Sequence, residues 1–233
     1  MSKRIMLLGA ICAMVIPLTV KAAVTNGGFE TGDLTGWTPI GAAHADTAAI
    51  GVTPTENTYQ AYIDNTGNFS ALAPAVAASL GVSGPSIIGL GAGTPTTGSA
   101  ISQDLTVSTG DVLSFDWNFL TDEHNEGVEF NDFAMFTISS AANFLASRDS
   151  TFFTLNLASP PPGFDGQTNY ATQTYTFTSA GTFKLGFAIF NVGDAGHNSV
   201  LLVDNLSIAA PEPGSISLLI AAAPGLLARR WRW

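Results

Sequence analysis

The chain is short of cysteine and of basic residues, and both shortages limit what it can be. Its single cysteine, Cys12, lies in an apolar run near the N-terminus, so no disulfide can stabilise the chain that follows. Residues 24–208 contain 17 acidic residues but only two basic ones, Arg148 and Lys184, which gives a net charge of −15. A surface of this sign repels phosphates and anionic polymers, so we expect no nucleic acid partner.

Motifs that carry catalysis are also missing. The histidines His44, His124 and His197 are far apart and form no His-Glu-x-x-His zinc pattern. Residues 81–84 read Gly-Val-Ser-Gly, which is not the Gly-x-Ser-x-Gly of a nucleophile elbow. There is no phosphate-binding glycine loop either. The sequence therefore favours a protein that is not an enzyme.

The N-terminal segment has the composition of a secretory signal. Lys3 and Arg4 precede an apolar run over residues 5–20, and Val-Lys-Ala then ends at Ala22. A short positive region, an apolar run and small residues at the cleavage positions are typical of a signal peptide. We predict that residues 1–22 are removed and that the protein is secreted.

The C-terminal residues 209–233 have three successive parts. They begin with Pro211-Glu212-Pro213, continue with an uncharged apolar stretch over 214–228, and end with a cluster that contains Arg229, Arg230 and Arg232. This order resembles the PEP-CTERM sorting signal of Gram-negative bacteria. The resemblance implies recognition by an exosortase-type membrane protease, removal of the tail, and delivery to the outer surface or extracellular matrix. As a helix the apolar stretch is about 22 Å long, short for a hydrocarbon core, so we expect only transient inner-membrane association.

Residues 23–208 read as one β-rich domain. Along 113–119, Leu113, Phe115, Trp117 and Phe119 alternate with polar residues, as in a half-buried strand. The pattern predicts further strands over 58–64, 99–107, 133–140, 172–178, 183–189 and 200–208, one short helix over 71–80, and a long loop over 81–98. Many short strands separated by turn signals predict an all-β fold, an antiparallel β-sandwich.

Both ends of this domain resemble galactose-binding-like jelly rolls, which include several carbohydrate-binding modules. The resemblance lies in Asn26-Gly27-Gly28-Phe29-Glu30 with Gly36-Trp37 at the opening, and in residues 203–208 at the close. It implies a jelly-roll topology in which the first and last strands pair. It also implies a structural calcium ion between these strands.

Asp204 is a candidate metal ligand on physical grounds as well. Counted along a regular strand, it points to the same apolar face as Leu202 and Leu206. A carboxylate there is costly unless it is paired or metal-bound, and Ca²⁺ prefers carboxylate and carbonyl oxygens. We predict a Ca²⁺ site formed by Asp204 and Glu30. The alternative is that Asp204 lies at the sheet edge, solvated or hydrogen-bonded to backbone amides.

A second acidic cluster follows the strand that ends near Leu120. Its members are Asp122, Glu123, Glu126, Glu129 and Asp132. The stretch around them resembles a segment of other PEP-CTERM extracellular proteins. It lacks the ordered spacing of an EF-hand, so a calcium-binding loop and a solvated acidic loop both stay open. A glycosidase pair such as Glu123 with Glu129 would instead make the protein a secreted glycan hydrolase.

Three aromatic residues are candidates for stacking on a sugar, namely Trp37, Tyr59 and Tyr62. For Trp37 the alternative is a place in the core, since a lone aromatic usually packs. Together these features predict an exported, non-catalytic protein of the cell surface or extracellular matrix that binds polysaccharide or contributes to a biofilm matrix. The alternatives are the hydrolase and a purely structural matrix component.

Overall fold

The computed structural model describes residues 22–66, 69–123, 129–149, 161–194 and 196–211. Within these ranges the chain forms twelve strands, two α-helices and a 3-10 helix at Ala48–Ile50. The strands are β1 (Thr38–Ile40), β2 (Ala42–Asp46), β3 (Gln60–Asp64), β4 (Ala71–Leu72), β5 (Pro95–Val107), β6 (Val112–Thr121), β7 (Phe133–Ile138), β8 (Ala141–Ser147), β9 (Gly166–Gln167), β10 (Ala171–Thr176), β11 (Gly181–Val192) and β12 (Ser199–Ala209). The helices are α1 (Ala73–Leu80) and α2 (Gly84–Ile88). Glu126, nearly all of the predicted signal peptide, and the sorting tail from Glu212 onward lie outside the described residues.

The strands form two antiparallel sheets. In sheet A the order is β1-β5-β11-β7-β8, and β4 also pairs with β5. In sheet B the order is β10-β6-β12-β3-β2, and β9 also pairs with β6. One apolar core contains residues from both sheets, which therefore lie face to face. This confirms the prediction of an all-β, antiparallel β-sandwich.

The alternation of apolar and polar residues in the sequence correctly predicts which side chains of β6 face the core. The inward side chains of β6 are those predicted, namely Leu113, Phe115, Trp117 and Phe119. From sheet A, Phe187 of β11 meets Phe115 edge to face, with ring centroids 4.9 Å apart. Phe136 of β7 meets the same ring at 5.2 Å. Such edge contacts between aromatic rings add to the free energy gained from burial.

The segment between β3 and β5 differs from the prediction. The predicted helix over 71–80 begins two residues later, because Ala71 and Leu72 pair with β5. The predicted loop over 81–98 contains α2 and the beginning of β5. Ser83 caps α2 by accepting a hydrogen bond from the Ser86 N–H, which favours a helix despite the glycine and proline around it.

The outer face of sheet A is covered by α1 and α2. Val76 and Leu80 of α1 are fully buried against β11 and its neighbours. Gly186 permits this approach, because a Cβ there would lie 2.4 Å from Leu80 Cδ2. No helix among the described residues is long and apolar enough to cross a membrane.

The last strand, β12, contains a bulge that changes which face its side chains occupy. The pairing with β6 shifts between Asp204 and Ser207, and Asn205 adopts a φ of 53°. The extra residue turns Leu206 into the core between the sheets, whereas Leu202 and Asp204 lie on the outer face of sheet B. The prediction that Asp204 shares a face with Leu202 is confirmed, but the same prediction for Leu206 is wrong.

Asp204 holds a loop against sheet B. Its side chain is fully buried. Its Oδ2 accepts hydrogen bonds from the Thr55 N–H at 2.7 Å, the Thr55 hydroxyl at 3.1 Å and the Glu56 N–H at 2.8 Å. Its Oδ1 accepts one from the Asn205 N–H at 2.7 Å. Burial raises the pKa of Asp204, while these donors oppose the increase.

We predict that Asp204→Ala lowers the free energy of unfolding by about 3 kcal/mol, because it removes a fully buried side chain that accepts four hydrogen bonds. Urea denaturation measures the change. The matched control is Asp104→Ala, which removes an exposed carboxylate 3.2 Å from Lys184 Nζ. That variant is expected to change stability by less than about 0.5 kcal/mol. Equal losses in the two variants would contradict the role of Asp204.

Candidate functional site

The three aromatic candidates lie in different surroundings. Trp37 is only 6% exposed, and its ring packs on Phe29 and Phe187 at 5.6 and 6.0 Å. It is therefore a core residue and is not available to a sugar. Tyr59 is half-buried, with its ring against the backbone at Gly32, where a Cβ would lie 3.3 Å from Tyr59 Cζ.

Tyr62 lies on the outer face of sheet B and forms the best candidate for a binding surface. The pairing of β2 with β3 places His44 directly opposite Tyr62, and their ring centroids are 4.7 Å apart. His44 is exposed and Tyr62 is half-buried. Because side chains alternate along a strand, Asp46 and Asp64 project from the same face as these rings. We call these four residues the Tyr62 platform.

The two carboxylates of the Tyr62 platform act on the tyrosine electrostatically. Burial raises the pKa of the Tyr62 hydroxyl, and the charges of Asp64 and Asp46 raise it further. The phenol therefore stays protonated and can donate a hydrogen bond. The platform thus offers aromatic rings, one O–H donor and two carboxylate acceptors on an edge of the sheet.

A small apolar cluster supports the platform from one side. It consists of Val52, Leu120, Val200 and Leu202, with Tyr62, Phe164 and Tyr170 packed on it. The Tyr170 hydroxyl donates to Gln60 Oε1, and Gln60 Nε2 donates to the Val52 carbonyl at 3.0 Å. These contacts hold the loops before β3 and before β10 against sheet B. Packed side chains therefore border the platform on one side.

The predicted calcium site has a different arrangement from the one expected. Asp204 is hydrogen-bonded to Thr55 and Glu56, whereas Glu30 accepts hydrogen bonds from the N–H groups of Thr58 and Tyr59. Both carboxylates thus hold the same loop, and protein N–H groups occupy the positions that a cation would need. Among the described residues, no group of three or more His, Cys, Asp or Glu side chains is arranged to hold a metal ion.

As arranged here, these residues do not fit a calcium ion. A Ca²⁺ ion bound by Glu30 and Asp204 stays a prediction, and it would require the loop amides to turn away. A melting temperature that rises with calcium in the wild type but not in Asp204→Ala would support it.

The acidic cluster of residues 122–132 separates into exposed and buried members. Glu129 is exposed, and Asp122 is half-buried, with its Oδ1 accepting from the Asn198 N–H at 2.6 Å. Glu123 and Asp132 are each only 2% exposed. Because Glu123 is buried and bound to Asp132, it does not face solvent with Glu129, as a glycosidase pair must.

Asp132 joins the ends of several strands from both sheets. Its Oδ1 accepts from the Val192 N–H at 3.0 Å, and its Oδ2 accepts from Asn65 Nδ2 at 2.5 Å. Asn65 Oδ1 in turn accepts from the Ser199 N–H at 2.7 Å. The Asp132 N–H donates to Glu123 Oε2 at 3.0 Å. The network therefore links β7 and β11 of sheet A with β3, β6 and β12 of sheet B.

At neutral pH Glu123 keeps its proton while the neighbouring Asp132 is charged, because the pKa of Glu123 is the higher of the two. Burial raises the pKa of Glu123, and the charge of Asp132 adds to the increase, whereas the hydrogen bond from the Asp132 N–H and the charge of Arg148 oppose it. The result is a pKa of about 8. Glu123 holds the proton, because the oxygens of Asp132 are stabilised by N–H donors from Val192 and Asn65. Glu123 Oε1 has no hydrogen-bond partner among the described residues.

Comparisons with known proteins give structural similarity only. No protein family model matches the chain, and no curated protein matches it. Among solved structures, it is similar to the K1 cleaved adhesin domain of Lys-gingipain from Porphyromonas gingivalis W83, at 19% identity and a TM-score of 0.43, over 79% of this chain and 96% of that one. It is also similar to TmCBM61 solved with β-1,4-galactotriose, at 13% identity and a TM-score of 0.39, over 80% and 96% of the two chains. A family 16 carbohydrate-binding module matches at 10% identity and a TM-score of 0.38, over 80% and 98%. Similarity at this level does not identify a ligand.

We predict that the buried pair makes stability fall as the pH rises from about 5 to about 8. In this range the unfolded chain releases the Glu123 proton, whose ordinary pKa is 4.5, while the folded chain keeps it. Glu123→Gln removes this titration, so its unfolding free energy should fall less over the same range. Urea denaturation at several pH values gives the comparison, with Asp104→Asn as an exposed control. Parallel curves for the wild type and Glu123→Gln would contradict the assignment.

Proposed function

We propose that this chain is an exported, non-catalytic protein of the cell surface or extracellular matrix that binds neutral polysaccharide on the Tyr62 platform. The observation that carries the proposal is the His44–Tyr62 ring pair, 4.7 Å apart, on an exposed edge of sheet B between Asp46 and Asp64. Aromatic surface with a few polar groups around it is the usual composition of a ligand site.

The polarity of the platform selects the ligand. A sugar ring presents C–H groups on its faces and hydroxyl groups around its edge. The rings of Tyr62 and His44 can cover the C–H face, and the carboxylates of Asp46 and Asp64 can accept hydrogen bonds from hydroxyls. Acidic polymers would be repelled by these carboxylates and by the net charge of −15 on residues 24–208. Neutral, hydroxyl-rich glycans therefore fit best.

The non-catalytic part of the proposal is supported by where the carboxylates lie. The candidate pair for hydrolysis included Glu123, which is 2% exposed and bound to Asp132 rather than open to substrate. A general acid or base must reach the substrate. A purely structural matrix role stays the second candidate, and a failure to bind any glycan would favour it.

The sorting part of the proposal is supported by sequence order at the two ends. The signal-peptide pattern of residues 1–22 directs export, and the tail from Pro211 resembles a PEP-CTERM signal. An exosortase-type protease of the inner membrane would remove that tail. The last described residue, Pro211, packs against Gly110 at the surface of the sandwich, so the tail leaves the domain at an accessible point.

We predict that Tyr62→Ala weakens binding to a neutral polysaccharide by at least about tenfold, which corresponds to about 1.4 kcal/mol. An array of neutral and acidic glycans identifies the ligand, and titration calorimetry measures the affinity. Asp64→Asn, which keeps the side-chain shape, should weaken the same ligand less.

The matched control is Phe144→Ala, which removes an aromatic ring that is 41% exposed on sheet A. It should bind the glycan as the wild type does. Melting temperatures establish that each variant is folded. Equal losses in Tyr62→Ala and Phe144→Ala, or binding only to acidic glycans, would contradict the proposed site.

For processing, we predict that protein recovered from the native envelope begins at Ala23 and ends near Pro211–Pro213. Intact-mass measurement on that material tests both ends. The presence of Trp233 would contradict removal of the tail.

A further inference from the structure

Two strongly exposed apolar side chains follow β3 within a few residues of each other. Phe69 is 73% exposed and Leu72 is 68% exposed. Ala71 packs on the cluster beneath α1, so Leu72, the next residue of β4, points to the opposite face of sheet A, the side on which sheet B lies. We call the surface formed by Phe69 and Leu72 the apolar end patch. Large apolar side chains that are exposed together favour an interaction site, whereas single ones need no explanation.

The turn that leads to Phe69 begins at the Tyr62 platform. Asp64, the last residue of β3, belongs to the platform, and its Oδ1 accepts a hydrogen bond from the Thr66 N–H. The Thr66 carbonyl in turn accepts hydrogen bonds from the N–H groups of Phe69 at 3.0 Å and Ser70 at 3.1 Å. At about 3.4 Å per residue, Tyr62 and Thr66 are about 14 Å apart at most. Phe69 therefore lies just beyond one end of the platform.

The edges of the two sheets also meet beside Asp64. Asp64 pairs with Ala42 of β2, and the Ala42 N–H donates to Ser99 Oγ of β5 at 2.9 Å. Gly98, the neighbour of Ser99, pairs with Ala71 of β4. The apolar end patch is therefore at the corner of the sandwich where the platform ends.

Buried hydrogen bonds hold the base of this corner. Asn65 Oδ1 accepts from the Ser199 N–H at 2.7 Å, and the Asn65 carbonyl accepts from Asn191 Nδ2 at 2.8 Å. Asn65 Nδ2 donates to Asp132 Oδ2. The backbone from which the patch projects is thus fixed before any ligand arrives. This support lowers the conformational entropy that a ligand must overcome when it binds there.

We propose that the apolar end patch extends the glycan site, so that the ligand is a polysaccharide chain that contacts Tyr62 and Phe69 at the same time. This rests on the proposed function of the Tyr62 platform. A neutral polysaccharide repeats the same apolar C–H faces and hydroxyl groups along its length. One sugar residue packs on the platform while a later one packs on Phe69, and Asp64 between them accepts hydrogen bonds from hydroxyl groups. The site then selects chains over single sugars and disaccharides.

Phe144 is also exposed, but it lies too far away to share this ligand. It is 41% exposed, and its strand β8 forms the edge of sheet A opposite β4. Four strand spacings of about 4.8 Å separate β8 from β4, which is about 19 Å across the sheet. A chain that runs from the platform along β3 passes Phe69 and does not approach Phe144. Phe144 is therefore a matched control for an exposed aromatic ring.

The length of the sugar chain distinguishes the extended site from the platform alone. The probes are the disaccharides and hexasaccharides of cellulose, mannan, xylan and galactan, and titration calorimetry with the full chain measures their affinities. We expect at least one hexasaccharide to bind the wild type more tightly than its disaccharide. Phe69→Ala should weaken binding of that hexasaccharide by about fivefold, as loss of one aromatic contact does, and leave the disaccharide unchanged. Tyr62→Ala should weaken binding of both.

Control variants complete the test, and melting temperatures establish that each one is folded. Phe69→Tyr keeps the aromatic ring and should bind the hexasaccharide as the wild type does, and so should Phe144→Ala. If Phe69→Ala and Leu72→Ala bind both probes normally while Tyr62→Ala binds neither, the platform is the whole site and the extension is wrong. The extension is also wrong if Phe69→Ala weakens both probes equally, or if it abolishes a self-association of the wild type. A wild type that binds no hexasaccharide would instead contradict the proposed function and the extension together.

Discussion

Asp132 forms a buried polar contact between the two sheets at one end of the sandwich. The apolar core has no directional preference, and by itself it would tolerate small shifts of one sheet over the other. The carboxylate accepts hydrogen bonds from Val192 in sheet A and from Asn65 next to sheet B, and Asn65 binds Ser199. These bonds are short, buried and directional, so they fix how the strand ends meet. β3, which carries Tyr62, and β11, which supports α1, both end in this network. The network therefore also positions the Tyr62 platform and the helices on sheet A.

Much of the sandwich was predictable from the sequence because its long strands alternate regularly. Phe115 and Phe187 could be placed in the core from the period of two alone, and the structure agrees. The partners of Asp132 could not be found in this way, because Asn65 precedes it by 67 residues. No local pattern marks an asparagine as the partner of a distant carboxylate. The place of Trp37 could not be predicted either. An aromatic residue in a glycine-rich segment has the same local sequence pattern whether it packs in the core or faces a ligand.

The domain distributes its charge unevenly. Carboxylates flank Tyr62 on sheet B, whereas residues 65–103, which include α1 and α2 on sheet A, contain no charged side chain. Contacts that depend on charge therefore belong to sheet B and its surroundings, while the surface formed by the helices offers mainly apolar contacts.

The bulge in β12 supplies hydrogen bonds rather than core packing. Leu201, Val203, Leu206 and Ile208 all face the core, although one extra residue lies between Val203 and Leu206. Without Asn205 the strand would be regular, and the same four side chains would still point inward. The core therefore does not require the insertion. What the insertion supplies is the N–H that binds Asp204 and the amide that reaches Asp116 at 3.0 Å. Loss of Asn205 would therefore keep the core packing and remove two hydrogen bonds on the outer face of sheet B, one to Asp204 and one to Asp116. The loop at Thr55 and Glu56 would keep its own bonds to Asp204 Oδ2.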